Sequence, residues 1–308
     1  MENNNVVVIG VDNGFGMTKT VHNVFPTALE DYNTVKPSFM DNVVYYKGKY
    51  YIVGGNKRVK VHEDKTENSD VYILTLAAIG SELAFRGISG ETHIVLSVGL
   101  PLERCGGGAQ KFADYFLQEN PVTFEYQDIS YTVHIDMVKV SPQGYSAVAF
   151  ELDQIKDSTV LVDIGSWTVD ISQIQGNIPI SPISLNDGVI NCMQDVNNAI
   201  RREFGNEVPE SQIQGVMRGI PDSLPAKYEE IAKAEIRKYV ENLASSLQER
   251  KYNLDTLDFI FVGGGAILIK NFGMDLFPSG RVITEINSNA VGFEKIGAKA
   301  WEKTQAGK

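Results

Sequence analysis

The run Val6–Val11 is apolar at every position, the pattern of a strand covered on both faces, and it ends in Asp12, Gly14 and Gly16. A second strand is expected around Thr18–Asn23. Residues 43–54, VVYYKGKYYIVG, are two β-rich runs about Lys47-Gly48-Lys49 and predict a tight hairpin. A helix is predicted near Val71–Arg86. A buried strand follows over 93–103, stopped by Pro101, and then a helical pattern over Ala109–Gln118. Residues 131–140 read as another strand, and the serine-proline pair Ser141-Pro142 predicts a helix behind it.

The second half restarts the same plan. Residues 158–175, STVLVDIGSWTVDISQIQ, give a strand, a turn with a carboxylate and a glycine, and a second strand, echoing residues 6–23. Helices are predicted near Gly188–Phe204, Glu210–Met217 and Lys227–Arg250. The last of these carries Tyr228, Ile231, Ile236, Val240, Leu243 and Leu247 on about one face. A strand over 257–262 runs into Gly263-Gly264-Gly265, and 289–303 closes the chain as a helix. The repetition implies two related α/β domains sharing a cleft, with the chain crossing near 150–158 and again near 290.

Composition narrows the possible functions. With 308 residues, 43% of them apolar, the chain can fill two cores. It carries 28 basic and 39 acidic residues, net −11, and its only basic pairs of note are Lys57-Arg58 and Arg201-Arg202, so direct binding of nucleic acid or acidic lipid is disfavoured. Cys105 and Cys192 lie far apart without metal spacing, which fits a reducing compartment. No signal peptide, membrane span or amphipathic tail is read, so the expectation is a soluble cytoplasmic protein.

Four segments could carry chemistry. Asp12 ends a buried strand, and Gly14 and Gly16 allow turns that present backbone N–H groups to an anion. A carboxylate there is costly to desolvate unless a cation faces it, and a hydrated magnesium carried by a triphosphate meets that need, with Lys19 adding a charge to a phosphate. Taken alone, this stretch is equally an ordinary hairpin with a turn aspartate. Asp163-Ile164-Gly165-Ser166-Trp167-Thr168 repeats the pattern, with Asp170 on the next strand, and two such hairpins would grip phosphates without a Walker loop. Trp167 reads as a packing residue. Gly264 and Gly265 would let a base or ribose lie against backbone, although three glycines alone are more often a turn, and no dinucleotide fingerprint is present. Gln143 could orient an attacking water, but by spacing alone a solvated residue in a helix-capping segment is the plainer reading.

In this order the four segments resemble the actin-type ATPases, specifically the bacterial actin-like proteins of the ParM/StbA plasmid-segregation group. The residues that carry the likeness are Asp12-Asn13-Gly14-Phe15-Gly16 with Lys19, then Asp163, Gly165, Thr168 and Asp170, then Gly264-Gly265 after an apolar strand. The closing NAVGFEKIGA adds to it, as do GLPLE and the 43–54 hairpin. The resemblance implies an α/β, two-lobed, duplicated ribonuclease H-like fold with an interdomain nucleotide cleft. Domain I would be 1–157, with a small subdomain about 25–75 and completion by the C-terminal helix 290–308, and domain II would be 158–289.

It further implies ATP, with GTP left open, bound with Mg²⁺ ligated through water by Asp12 and Asp163, and a hydrolytic water near Gln143. Nucleotide contacts would come from Gly14, Phe15, Gly16, Lys19, Gly165, Ser166, Trp167, Thr168, Gly188, Gly264, Gly265 and Leu268. Copies would assemble head to tail into an open filament that ATP favours and hydrolysis loosens, and a separate DNA-binding adaptor would link it to plasmid DNA. Two departures stand out: Phe15 replaces a small hydroxyl residue common in actin, and Gln143 stands where plasmid relatives often carry glutamate. A small-molecule kinase on this fold would need a carboxylate base that is not evident. A chaperone of the DnaK type would need a peptide-binding portion after 308. A membrane-tethered shape or division homologue would need an amphipathic segment.

Overall fold

A computed structural model describes residues 6–38, 40–60 and 64–307. The chain divides into two compact units, residues 1–150 with 287–308, and residues 151–286. The first contains β1 (Val7–Asn13), β2 (Met17–Lys19), β3 (Val24–Pro26), β4 (Ala28–Asp31), β5 (Val43–Tyr46), β6 (Lys49–Arg58), α1 (Ser69–Phe85), β7 (Gly90–Leu100), α2 (Leu102–Phe116), β8 (Val122–Tyr126), β9 (Ile129–Pro142) and α3 (Tyr145–Val148). The second contains β10 (Thr159–Ile164), β11 (Val169–Gln175), β12 (Ile178–Leu185), α4 (Val189–Phe204), α5 (Glu210–Met217), α6 (Ala226–Glu249), β13 (Phe259–Val262), α7 (Ala266–Phe272) and β14 (Gly280–Val282). Helix α8 (Ser288–Ala306) returns to the first unit.

The strand order of the second unit is β12-β11-β10-β13-β14: two antiparallel ladders, then two parallel ones. The first unit repeats that order as β3-β2-β1-β7-β9, with the same alternation of antiparallel and parallel pairing, and adds β8-β5-β6-β4 beyond β9. The duplicated sequence pattern is therefore a duplicated sheet. β1 and β10 occupy equivalent inner positions, and from Ile9 and Thr159 onward every residue of each is buried, as their unbroken apolar runs require.

Each unit fills its own core. Ile9, Val11, Leu96 and Val98 pack with α1 and α2 in the first, while Val162, Phe261, Val240 and Leu243 pack with α4 and α7 in the second. Helix α1 is buried continuously from Tyr72 to Leu83, so it reads as apolar all round rather than striped. Helix α8 lies hard against the sheet. A Cβ at Gly10 would meet Ala290 O at 2.1 Å, and one at Gly99 would meet the Phe293 ring at 2.0 Å.

Four local expectations need correction. The segment Thr18–Asn23 is not one strand, because Thr20 N–H donates to Asn23 O at 2.8 Å and Asn23 N–H to Thr20 Oγ1 at 2.9 Å, closing a turn between β2 and β3. The helix expected behind Ser141-Pro142 is the single turn of α3. Helix α2 begins seven residues before Ala109, at Leu102, and runs through Gly106, Gly107 and Gly108. Strand β12, interrupted by Pro179 and Pro182, gave no strand signal, because prolines are confined to sheet edges such as this one. The 43–54 hairpin is present, with Lys47 (φ 48°) and Gly48 (φ 78°) as its two turn residues.

Candidate active site

In the first unit, the β1–β2 hairpin places Asp12 directly opposite Lys19, and Lys19 Nζ donates to Asp12 Oδ2 at 3.1 Å. Asp12 is almost completely buried. Its other oxygen, Oδ1, accepts from Gln143 Nε2 at 2.9 Å across 131 residues of sequence. An ionised carboxylate only accepts hydrogen bonds, so this contact fixes the Gln143 amide: Nε2 faces Asp12 and Oε1 is the end presented to a donor. Gln143 is positioned because β9 pairs with β7 up to Leu100↔Pro142, and its N–H then donates to Leu100 O at 2.8 Å. Three predicted residues, Asp12, Lys19 and Gln143, are thus one hydrogen-bonded group.

The turn between them is braced by residues that the sequence did not single out. Thr27 Oγ1 donates to Gly14 O at 2.6 Å, Thr27 N–H donates to Gly16 O at 3.0 Å, and the Thr18 and Thr27 hydroxyls lie 3.0 Å apart. The buried ammonium of Lys65 donates to Asn13 O at 2.8 Å and stands 5.4 Å from the Phe15 ring centroid. Phe15 therefore faces a cation. A small cavity lies among Asn13, Phe15, Thr18, Thr27 and Lys65, and Asn13 Nδ2 is buried there with no hydrogen-bond partner among the described residues. In sequence Lys65 is one lysine in a polar loop, and nothing local marks it.

In the second unit, Asp163 is the penultimate residue of β10, the position that Asp12 holds on β1, and it is 8% exposed. Gly165 N–H donates to Thr168 O at 2.8 Å, closing the turn, and Thr168 Oγ1 donates to Asp170 Oδ2 at 3.2 Å. The glycine run folds beneath this carboxylate. Gly263 has φ +86°, and a Cβ there would come within 2.2 Å of Asp163 Oδ1, so only glycine fits. A Cβ at Gly265 would strike Ile164 Cγ2 at 2.3 Å, whereas Gly264 has open space around its Cα. Leu268 is wholly buried in this unit's core and offers no side-chain surface to a ligand. Its apolar side chain completes the packing face of α7.

Gly188 is a glycine for a packing reason. A Cβ there would approach Ser166 O and Trp167 C at 2.5 Å. Gly188 N–H donates to Trp167 O, Val189 N–H to Gly165 O and Ile190 N–H to Ser166 O, at 3.0 to 3.1 Å, so the first amides of α4 hold the 165–167 loop in place. Trp167, read as a packing residue, is instead 39% exposed. The turn points its indole out of the core.

Among the described residues, no three or more His, Cys, Asp or Glu are grouped to hold a metal ion. The first hairpin offers the carboxylate of Asp12 and the second those of Asp163 and, across the strand pair, Asp170, oxygen donors suited to a hard cation held mostly by water and by a ligand's own oxygens. Among the described residues, no helix is long and apolar enough to cross a membrane.

Residues 10–145 match the family described as actin-like proteins, N-terminal domain, and residues 161–273 match archaeal actin homologue MreB-like, C-terminal. No curated protein sequence matches the chain. Among solved structures, the archaeal actin homolog Ta0583 is similar over 96% of this chain and 100% of its own, with a TM-score of 0.77 and 20% identity. The Alp12 filament structure follows the chain over 96% and 99% respectively, with a TM-score of 0.70 and 15% identity. Bacillus thuringiensis ParM with ATP does so over 98% and 100%, with a TM-score of 0.69 and 16% identity. With both domain matches in chain order and a likeness to these structures over nearly the whole chain, this is a two-domain α/β protein of the actin-like fold.

Proposed function

We propose that the chain binds and hydrolyses ATP with Mg²⁺, and that nucleotide state controls its head-to-tail assembly into filaments. The observation that carries this reading is the duplicated carboxylate hairpin: Asp12 and Asp163 are the penultimate residues of equivalent inner strands, each buried and each followed by a glycine turn. Buried carboxylates in such turns suit a cation that arrives with its own phosphate oxygens. In this reading Asp12 and Asp163 would hold Mg²⁺ through water, an ion that would supply charge stabilisation at the terminal phosphate. Gln143, with Nε2 on Asp12, uses Oε1 to accept a hydrogen bond from an O–H of the attacking water and so orient it. Gly14, Phe15, Gly16, Lys19, Gly165, Ser166, Trp167, Thr168, Gly264 and Gly265 form the phosphate and nucleoside contacts.

Support comes from the ParM structure with ATP and the Alp12 filament, which share this fold. At a finer level, the filament segregates plasmid DNA in a bacterial cytoplasm through a separate DNA-binding adaptor. The net charge of −11 supports an adaptor, since a strongly anionic polymer repels DNA. The test is sedimentation and phosphate release with MgATP. Wild-type chain is expected to pellet and release phosphate, while Asp163→Ala, folded by circular dichroism, loses about a hundredfold or more in turnover. Near-normal turnover in Asp163→Ala would refute the site. A small basic DNA-binding protein that co-sediments with the filament is the expected result for segregation.

A further inference from the structure

We infer that Asn289, on the returning helix α8, is the positioning residue that holds Gln143 in its working geometry; this inference rests on the proposed hydrolytic role of Gln143. The backbone at Gln143 is unusual. Gly144 has φ +71° and ψ −63°, and Tyr145 N–H donates to Gln143 O at 2.8 Å. Those three residues form the positive-φ γ-turn, a rare and strained arrangement even with glycine at its centre. Such strain persists only where the surroundings over-determine it.

The surroundings here are specific. The N–H of Gly144 donates to Asn289 Oδ1 at 2.9 Å, and both residues are buried. A backbone N–H can only donate, so the oxygen end of the Asn289 amide is the end that faces it. Helix α8 cannot retreat to relieve the turn. It is fixed to β7 by Ser97 Oγ, which donates to Phe293 O at 2.6 Å, and Gly292 brings its backbone so close to α3 that a Cβ would lie 1.9 Å from Ser146 O. On the other side, Gln143 N–H is held by Leu100 O and Ser146 Oγ donates to Pro142 O at 2.6 Å.

The consequence follows from the orphan donor. Without the Asn289 oxygen, the N–H of Gly144 is buried and unpaired, a cost that the chain relieves by relaxing the γ-turn. Gln143 is the first residue of that turn, so relaxation swings its side chain away from Asp12. Asn289 touches no reacting atom. It acts on hydrolysis through the backbone of Gly144, and its effect belongs to the chemical step rather than to nucleotide affinity.

The test compares Asn289→Leu, similar in size but without an acceptor, with Asn289→Asp, which keeps one. In steady-state ATP hydrolysis, Asn289→Leu is expected to lower kcat about tenfold to a hundredfold with KM within about twofold of wild type, and Asn289→Asp to restore most of kcat. A second measurement does not depend on hydrolysis: in nucleotide-free protein, the Gln143 side-chain amide is followed by NMR, assigned through Gln143→Glu. Its shifts move toward those of a solvated amide in Asn289→Leu and stay near wild type in Asn289→Asp. If wild type hydrolyses no ATP, the proposed function fails while the NMR comparison still decides the role of Asn289. An unmoved Gln143 amide in folded Asn289→Leu, or an Asn289→Asp variant as impaired as Asn289→Leu, overturns the inference.

Discussion

Glu82 is a carboxylate at zero exposure on α1, and its surroundings decide its charge. Desolvation pushes its pKa up, but hydrogen bonds from Thr20, His22 and Arg86 together outweigh burial and hold it below the ordinary 4.5. His22 Nδ1 lies 2.5 Å from Glu82 Oε1, and Arg86 spans from Glu82 to Glu294 at 2.7 Å each. For a carboxyl lowered on folding, the stabilisation is fully present above the unfolded value and is lost as pH falls through the folded one. Stability is therefore expected to decline as pH drops below about 4.5 in urea melts followed across pH. Glu82→Gln should cost about 2 kcal/mol near neutrality and flatten that acid limb, because the neutral amide weakens the charge-assisted bonds from Arg86 and His22, although Arg86 keeps Val8 O and Glu294. An unchanged acid limb in the variant would show that other carboxylates set it.

At the scale of elements, α2 is a helix whose sequence argues against its first half. Pro101 provides no side-chain cap, no residue of α2 before Phe112 is buried, and three consecutive glycines lie at 106–108. Packing does not demand those glycines: a Cβ at Gly106 or Gly107 would meet nothing within 4 Å. Each costs about 1 kcal/mol relative to alanine in a helix interior. The helix forms because Phe112 and Phe116 anchor its second half in the core and Cys105 Sγ reaches Leu100 O. The double variant Gly106→Ala/Gly107→Ala is expected to stabilise the first unit by about 1.5 to 2 kcal/mol, seen as a higher denaturant midpoint with an unchanged slope. A lower midpoint would mean that a contact outside this chain's own packing requires glycine there. The pattern of propensity correctly located the helix from Ala109 onward. It missed the first two turns because tertiary anchoring, not local preference, holds them.

At the scale of the molecule, two sheets of one design each carry a separate core, Val162 and Phe261 belonging to one and Ile9 and Phe112 to the other. A chain with two cores is not expected to melt as one cooperative unit. Scanning calorimetry of the nucleotide-free chain should give a calorimetric enthalpy exceeding the van't Hoff value, and equality would indicate a single cooperative block. The amino-acid sequence alone determined the duplicated strand-turn-strand plan and the two carboxylate turns, since unbroken apolar runs and glycine spacing are local signals that survive in one dimension. It also placed most of the helices, through their period. Only the tertiary structure decided that Gln143 Nε2 meets Asp12, that Lys65 backs Asn13 and that Asn289 caps the strained turn at Gly144. Those contacts join residues 52 to 145 positions apart, and a polar side chain bears no mark of its partner until the sheet and α8 bring the two together.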